Sequence, residues 1–129
     1  MPILKKLILI DDDPLCIKII QVISKSIMPD LDIHIFTEPR QGLDHLLNIT
    51  TEDDARHVVL LDLNMPQLSG WDILKALESR KEIIMQNCSL YIISTSLESN
   101  DRSLAAGNPM VSGFFEKPIT RLNLQHILQ

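Results

Sequence analysis

Short apolar runs alternate with longer amphipathic stretches along the chain. Five runs are apolar throughout or nearly so, and polar residues bound each of them: 7–10, 33–36, 58–61, 90–93 and 113–115. Runs of this kind are typical of strands that are covered on both faces, as in a parallel sheet. The pattern therefore predicts five buried strands.

The stretches between these runs have apolar residues at helical spacing. The first helix is predicted from Asp13 and Pro14, an N-cap residue followed by a first-turn proline, through Ile27. Further helices are predicted after Pro39, over about 71–80, over 100–106 and from 121 to the last residue. A strand and a helix thus alternate five times, which predicts parallel crossovers and an open α/β sheet with helices on both faces.

Composition limits the class of protein further. The 129 residues fit one domain over 1–129, and 45% hydrophobic residues suffice for an ordinary core. The net charge of −5 argues against nucleic acid or an anionic membrane as the main partner. The first apolar run is too short for a signal peptide, and Cys16 and Cys88 are expected to be reduced. These features predict a cytoplasmic protein.

Groups able to do chemistry follow four of the predicted strands. They are Asp11, Asp12 and Asp13 after the first run, Asp62 after the third, Ser94, Thr95 and Ser96 after the fourth, and Lys117 shortly after the fifth. Ligands of such sheets bind outside the carboxyl ends of the strands, where these groups are expected to meet. Clustered carboxylates favour Mg²⁺, and a lysine opposite them favours a phosphoryl group.

Each of these motifs also has a simpler interpretation when it is taken alone. Asp13 suits a helix cap, Asp62 an ordinary loop residue, Ser94 to Ser96 a second cap, and Lys117 a solvated side chain before a turn. Their combination at the ends of different strands favours the functional interpretation. The four histidines have no spacing typical of a metal site.

With these groups at the strand ends, nearly the whole chain resembles the receiver domain of two-component response regulators. The resemblance is carried by LILIDDDP at the first strand, VVLLDLNMPQLSG around Asp62, STS after the fourth strand and GFFEKP after the fifth. The middle segment is the most specific, because Pro66 and Gly70 follow Asp62 by four and eight residues, as in receivers. The resemblance implies a flavodoxin-like sheet of order 2-1-3-4-5 with five helices.

The resemblance also implies a role for each site residue. Asp62 is expected to be the phosphoacceptor, which forms an acyl phosphate with Mg²⁺ as cofactor. Asp11, Asp12, Asp62 and the backbone carbonyl of Asn64 are the expected metal ligands. Lys117 is expected to pair with the phosphoryl group, and its bond to Pro118 is commonly cis in the family.

A switch that carries the signal outward follows from the same resemblance. Thr95 is expected to supply the switch hydroxyl, and Ser94 is the neighbour with which it is easily confused. Ser96 takes a small-residue position, and Phe114 the position of an aromatic residue that moves inward. The implied partners are a sensor histidine kinase or a histidine phosphotransfer protein as donor, and a downstream protein or a second copy as reader.

Two other functions are weighed against this one. Haloacid-dehalogenase-like phosphohydrolases also place an aspartate after a strand, and Asp11-Asp12-Asp13 has their D-x-D spacing, but they need a further acidic pair beyond the lysine. No Asp or Glu follows Lys117. A receiver-like binding module that is never phosphorylated would be expected to lack the acids, the acceptor or the lysine. The sequence therefore predicts a signalling phosphoacceptor, which is not an enzyme.

Overall fold

The computed structural model describes residues 5–50, 56–95 and 98–129. Strands and helices alternate along it in the predicted order. The strands are β1 (Lys5–Ile10), β2 (Asp32–Phe36), β3 (Arg56–Asp62), β4 (Cys88–Ser94) and β5 (Val111–Glu116). The helices are α1 (Pro14–Ile27), α2 (Pro39–Leu47), α3 (Gly70–Ala76), a 3-10 helix (Leu77–Arg80), α4 (Lys81–Asn87), α5 (Ser99–Gly107) and α6 (Arg121–Leu128).

The strands form one parallel sheet of order β2-β1-β3-β4-β5. Strand β1 pairs with both β2 and β3, and β4 pairs with both β3 and β5. The chain order therefore reverses beside β1, and the carboxyl ends of all five strands lie along one edge. This is the doubly wound α/β fold that the sequence and its resemblance predict.

Successive side chains of each strand point to opposite faces of the sheet, and both faces are buried under helices. Ile8 and Ile10 of β1 belong to one core cluster, with residues of α2, α3 and α4, while Leu7 and Leu9 belong to the other, with residues of α1 and α6. All four of these side chains have 0% of their surface exposed. Burial on both faces is the reason that the strands lack a polar side in the sequence.

The helical segment between β3 and β4 is longer than the sequence predicts. The expected helix ends near Arg80, but the chain continues through the 3-10 helix into α4 and reaches Asn87. Leu77 and Ile84 are both fully or almost fully buried. Both side chains belong to the core cluster on that face of the sheet. The segment still forms a single crossover, so four helical crossovers join the five strands and α6 follows the last strand.

Helix caps fix the loops at the carboxyl edge of the sheet. The Asp13 carboxylate accepts a hydrogen bond from the Leu15 amide, which confirms its predicted capping role. Ser69 and Asp72 form a reciprocal capping box at the start of α3. Over residues 5–50, 56–95 and 98–129, no helix is long and apolar enough to cross a membrane.

Candidate functional site

The acidic residues lie at the ends of neighbouring central strands. Asp11 follows β1 directly, and Asp62 is the last residue of β3. Ile10 and Leu61 are register partners, so the two aspartates leave the sheet side by side. One carboxylate oxygen from each of Asp11, Asp12 and Asp62 lies within 4.8 Å of the corresponding oxygen of the other two. The structure therefore brings together the three acids that the sequence singles out.

The donor set of this cluster fits a hard divalent cation. Asp11 and Asp62 are buried, whereas Asp12 is exposed. The cluster therefore has two enclosed carboxylates and is open to solvent on the side of Asp12. Three carboxylates offer the oxygen ligands that Mg²⁺ takes, with water completing its shell. In the described part of the chain, no other three His, Cys, Asp or Glu residues come close enough to hold a metal ion.

Lys117 provides the positive charge of the site. Its Nζ lies 2.9 Å from Asp11 Oδ2 and 3.4 Å from Asp62 Oδ2, and 8% of its side chain is exposed. The other oxygen of Asp11 accepts a hydrogen bond from the Asp13 amide. Burial lowers the pKa of Lys117, but its hydrogen bond to Asp11 and the charges of both aspartates outweigh burial and raise it. The ammonium therefore stays charged, although it is nearly enclosed.

The surroundings of Asp62 disfavour the negative charge of its carboxylate. Its burial and the charge of Asp11 raise its pKa from 3.8 to about 6, while the Asn64 amide and Lys117 act in the opposite direction. The Asn64 amide donates a hydrogen bond of 3.2 Å to Asp62 Oδ1. Asp62 therefore takes up a proton at a higher pH than an ordinary aspartate does, and most molecules still carry it ionised at neutral pH.

Gly70 allows the loop after β3 to pack against the strand end. A Cβ atom at this position would lie 2.8 Å from the Asp62 carbonyl oxygen and 2.9 Å from Leu63 Cα. The Gly70 amide donates to the Leu63 carbonyl at 3.0 Å, which closes the loop. This close backbone approach is the physical reason for a glycine eight residues after Asp62.

Ser94 contributes to this site, although the sequence suggests only a helix cap or a neighbour of the switch residue Thr95 at this position. Its hydroxyl accepts a hydrogen bond of 2.8 Å from the side-chain amide of Asn64, and it has 0% of its surface exposed. Its carbonyl accepts the Lys117 amide, also at 2.8 Å. A signal was present in the sequence, because a serine ending an otherwise apolar buried strand needs a polar partner.

Thr95 lies beside the acidic cluster, but its side chain is exposed. It lines a cavity of about 180 Å³ between α1 and the loop after β5, together with Lys117 and Cys16. Burial and the charge of Asp11 raise the pKa of Cys16 to about 12, so this thiol stays protonated. Both cysteines are free, as expected. Ser96, the predicted small-residue position, lies outside the described residues.

Phe114 lies away from the acids, on the outer part of the sheet. It is partly buried against the core cluster that contains α2 to α4. The Arg102 guanidinium lies 5.4 Å from the centre of its ring and also pairs with Glu116 at 2.5 Å. The indole nitrogen of Trp71 donates to Asp101, which joins the start of α3 to α5. The structure thus connects Phe114 with α5 and places Trp71 beside the same helix.

The peptide bond between Lys117 and Pro118 is cis, as the resemblance implies. The Lys117 amide is held by the Ser94 carbonyl. The end of β5 is therefore joined to the end of β4 at the residue whose side chain reaches the acidic cluster. Of the predicted site residues that the structure describes, all except Phe114 lie at this one edge of the sheet.

Fold and site together define a doubly wound α/β protein with an acidic cluster and a lysine at the carboxyl edge of its sheet. The family profile described as "Response regulator receiver domain" matches residues 7–129. The chain therefore belongs to this family, whose members are signalling domains of two-component systems.

Solved structures agree with this assignment at the level of the fold. A two-component response regulator from Cytophaga hutchinsonii is 20% identical, with a TM-score of 0.86 over 98% of this chain and 96% of that one. A response regulator receiver protein from Dyadobacter fermentans is 21% identical, with a TM-score of 0.80 over 96% and 98%. The chemotaxis protein CheY4 of Vibrio cholerae is 16% identical, with a TM-score of 0.75 over 98% and 97%. A comparison with curated protein sequences found no match.

Proposed function

We propose that the chain is a phosphoacceptor of a two-component system or phosphorelay, in which Asp62 receives a phosphoryl group. The carrying observation is the convergence of Asp62 with Asp11, Asp12 and Lys117 at one edge of the sheet. The donor in this role is a phosphohistidine of a sensor kinase or of a phosphotransfer protein. The chain then acts as a signalling domain and not as an enzyme with a separate substrate.

The proposed transfer needs an ionised Asp62. One carboxylate oxygen attacks phosphorus, a new P–O bond forms, and the P–N bond to the donor histidine breaks, so that the electron pair leaves with the imidazole. Burial and the charge of Asp11 raise the pKa of Asp62 to about 6, which is still below neutral pH. Most molecules therefore carry the nucleophilic carboxylate at neutral pH. The product is an acyl phosphate on Asp62.

The metal in this proposal is Mg²⁺, held by Asp11, Asp12, Asp62 and the backbone carbonyl of Asn64. When bound, it neutralises charge on the phosphoryl oxygens and screens the nucleophile from its acidic neighbours. Lys117 is already 3.4 Å from Asp62 Oδ2, so its ammonium is within reach of a phosphoryl group on that carboxylate. It supplies a fixed point charge for one phosphoryl oxygen.

The signal leaves the domain, in this proposal, through Thr95 and Phe114. The Thr95 hydroxyl moves toward the phosphoryl group, and Phe114 then turns into the vacated space. The surface that changes comprises α5, β5 and α6, and a downstream protein or a second copy of the chain reads it. A phosphoryl group shifts such a surface only through contacts that differ between the two conformations.

Intact-mass measurement tests the proposal directly. The chain is incubated with acetyl phosphate and Mg²⁺, and we expect the mass of one added phosphoryl group on the wild type. Asp62→Asn, which keeps the shape of the side chain, should remain unmodified, and chelation of the metal should suppress the reaction. Equal labelling of the wild type and Asp62→Asn would show that another residue is the acceptor.

A further inference from the structure

Ser94 contacts the two loops that flank the acidic cluster. Its hydroxyl accepts from the Asn64 side chain at 2.8 Å, and its carbonyl accepts from the Lys117 amide at 2.8 Å. Asn64 lies two residues after Asp62, and Lys117 pairs with Asp62 itself. One residue at the end of β4 therefore touches the loop after β3 and the loop after β5.

The side-chain bond adds something that the backbone alone does not provide. The Leu63 amide is already held by the Ile93 carbonyl at 3.1 Å, which fixes the first residue of the loop after β3. Asn64 is exposed, and exposed loop residues usually direct their side chains to water. Here the carboxamide instead reaches a hydroxyl that has no surface exposed. The Asn64 side chain is thus anchored to β4, although the residue is exposed.

We propose that Ser94 is a positioning residue, whose hydroxyl holds Asn64 and thereby preorganises the loop that completes the metal site. This inference rests on the proposed function, which assigns the Asn64 carbonyl to Mg²⁺. A loop that already has the binding conformation loses less conformational entropy when the cation binds than a loop that samples several conformations. The serine hydroxyl is required for this role, because alanine removes the acceptor while the Lys117 backbone bond remains.

The expected effect is modest and specific. Loss of one neutral hydrogen bond, only part of which favours the bound state, should weaken the Mg²⁺ affinity about fivefold. Asn64→Ala removes the donor and keeps the backbone carbonyl, so it should weaken binding by a similar factor. If both variants act through the same bond, the double variant should bind Mg²⁺ no more weakly than either single variant.

Titration calorimetry with Mg²⁺ on the full chain, without phosphodonor, tests this cycle. Ser94→Cys nearly preserves the shape but is a poor acceptor, and it should resemble Ser94→Ala. Ser24→Ala is the matched control, because Ser24 is equally buried but lies in α1 away from the acids, and it should bind as the wild type does. Wild-type affinity in Ser94→Ala, or additive losses in the double variant, would overturn the role of Ser94.

Amide hydrogen exchange in the metal-free protein separates this inference from the proposed function. Ser94→Ala should speed exchange over residues 63–69, and Ser24→Ala should leave those residues unchanged. Unchanged exchange in Ser94→Ala overturns the positioning role whatever the metal does. A wild-type protein that binds no Mg²⁺ and accepts no phosphoryl group overturns the proposed function instead.

Discussion

Replacing Lys117 by methionine tests the electrostatic balance of the site. The two side chains are similar in length, but methionine carries no charge, so the variant leaves Asp11 and Asp62 without their shared cation. Asp11 is fully buried, and only 4% of the Asp62 side chain is exposed. Breaking a buried ion pair on one side costs about 3–5 kcal/mol when the remaining charge cannot escape.

Here the aspartate pair can take up a proton and so lose its extra negative charge, which sets an upper limit to the loss of stability. With Lys117 present, Asp11 and Asp62 carry a net charge of −2 + 1 = −1, and one proton on the pair restores −1 after the lysine is removed. Asp62 has a pKa of about 6, so protonating it near pH 8 costs at most about 3 kcal/mol. Water reaching the site beside exposed Asp12 reduces this value, and we expect a loss of about 2 kcal/mol.

The loss should depend on pH in one direction. A carboxyl group whose pKa is raised on folding binds more protons in the folded state, so the free energy of unfolding falls as the pH rises between the two pKa values. For Asp62 in the wild type this window runs from 3.8 to about 6. Removing Lys117 extends the window upward, since the lysine opposes the shift. The variant should therefore be much closer to the wild type near pH 6 than near pH 8.

Urea unfolding followed by the fluorescence of Trp71, the single tryptophan, measures both quantities. The experiment is run with a chelator near pH 6 and near pH 8, and then with Mg²⁺, which should restore most of the lost stability. Lys18→Met, on the exposed face of α1, is the matched control and should change little. A Lys117→Met loss that is equal at both pH values would refute the electrostatic explanation and indicate lost packing.

Two further predictions concern the loop after β3 and the switch. Gly70→Ala should lower the free energy of unfolding by about 1–3 kcal/mol, because the new Cβ atom would meet the Asp62 carbonyl oxygen. The control is Gly107→Ala, which has open space around its Cβ position and should be neutral or slightly stabilising in the same urea assay. Thr95→Ala should still accept a phosphoryl group by intact mass but lose the phosphorylation-dependent change in amide exchange over α5 and β5. A retained exchange change would show that the signal does not pass through Thr95 to Phe114.

The order of the strands was implied by resemblance, but the sequence also contains a physical signal for which strands lie at the edges of the sheet. The edge strands β2 and β5 include charged or polar positions such as Asp32, His34 and Glu116, and their residues are mostly half-buried. The central strands β3 and β4 are almost completely buried. An edge strand has one sheet neighbour only, so it tolerates polar side chains that a central strand excludes.

The helical segment over 70–87 was predicted too short for a different reason. Residues 78–82 are all polar or charged, and this run interrupts the apolar pattern at the point where the predicted helix ends. Ile84 lies seven residues after Leu77, which is about two turns of an α-helix, and both side chains are buried. The polar run thus hid a continuation that the spacing of Leu77 and Ile84 allows.

The acids and the lysine of the site were predictable because parallel strands collect their carboxyl ends at one edge. The partnership of Ser94 with Asn64 was not, because it depends on side-chain directions at the ends of two strands. Beside Thr95, Ser94 suggests a helix cap, and only its complete burial shows that its hydroxyl faces inward. Sequence pattern thus located the charged groups, whereas packing identified the neutral group that orients the loop between them.

The charges of the site explain why a neutral hydroxyl suits the proposed switch. Asp11, Asp12, Asp62 and Lys117 together carry −3 + 1 = −2, which a divalent cation balances to zero. A phosphoryl group on Asp62 replaces one carboxylate charge by about two phosphate charges, so the occupied site becomes negative again by about one. Lys117 is already present, so the new charge must draw in a further hydrogen-bond donor. Thr95, exposed at the rim beside Lys117, can satisfy that demand by moving and without adding a charge that would repel the metal.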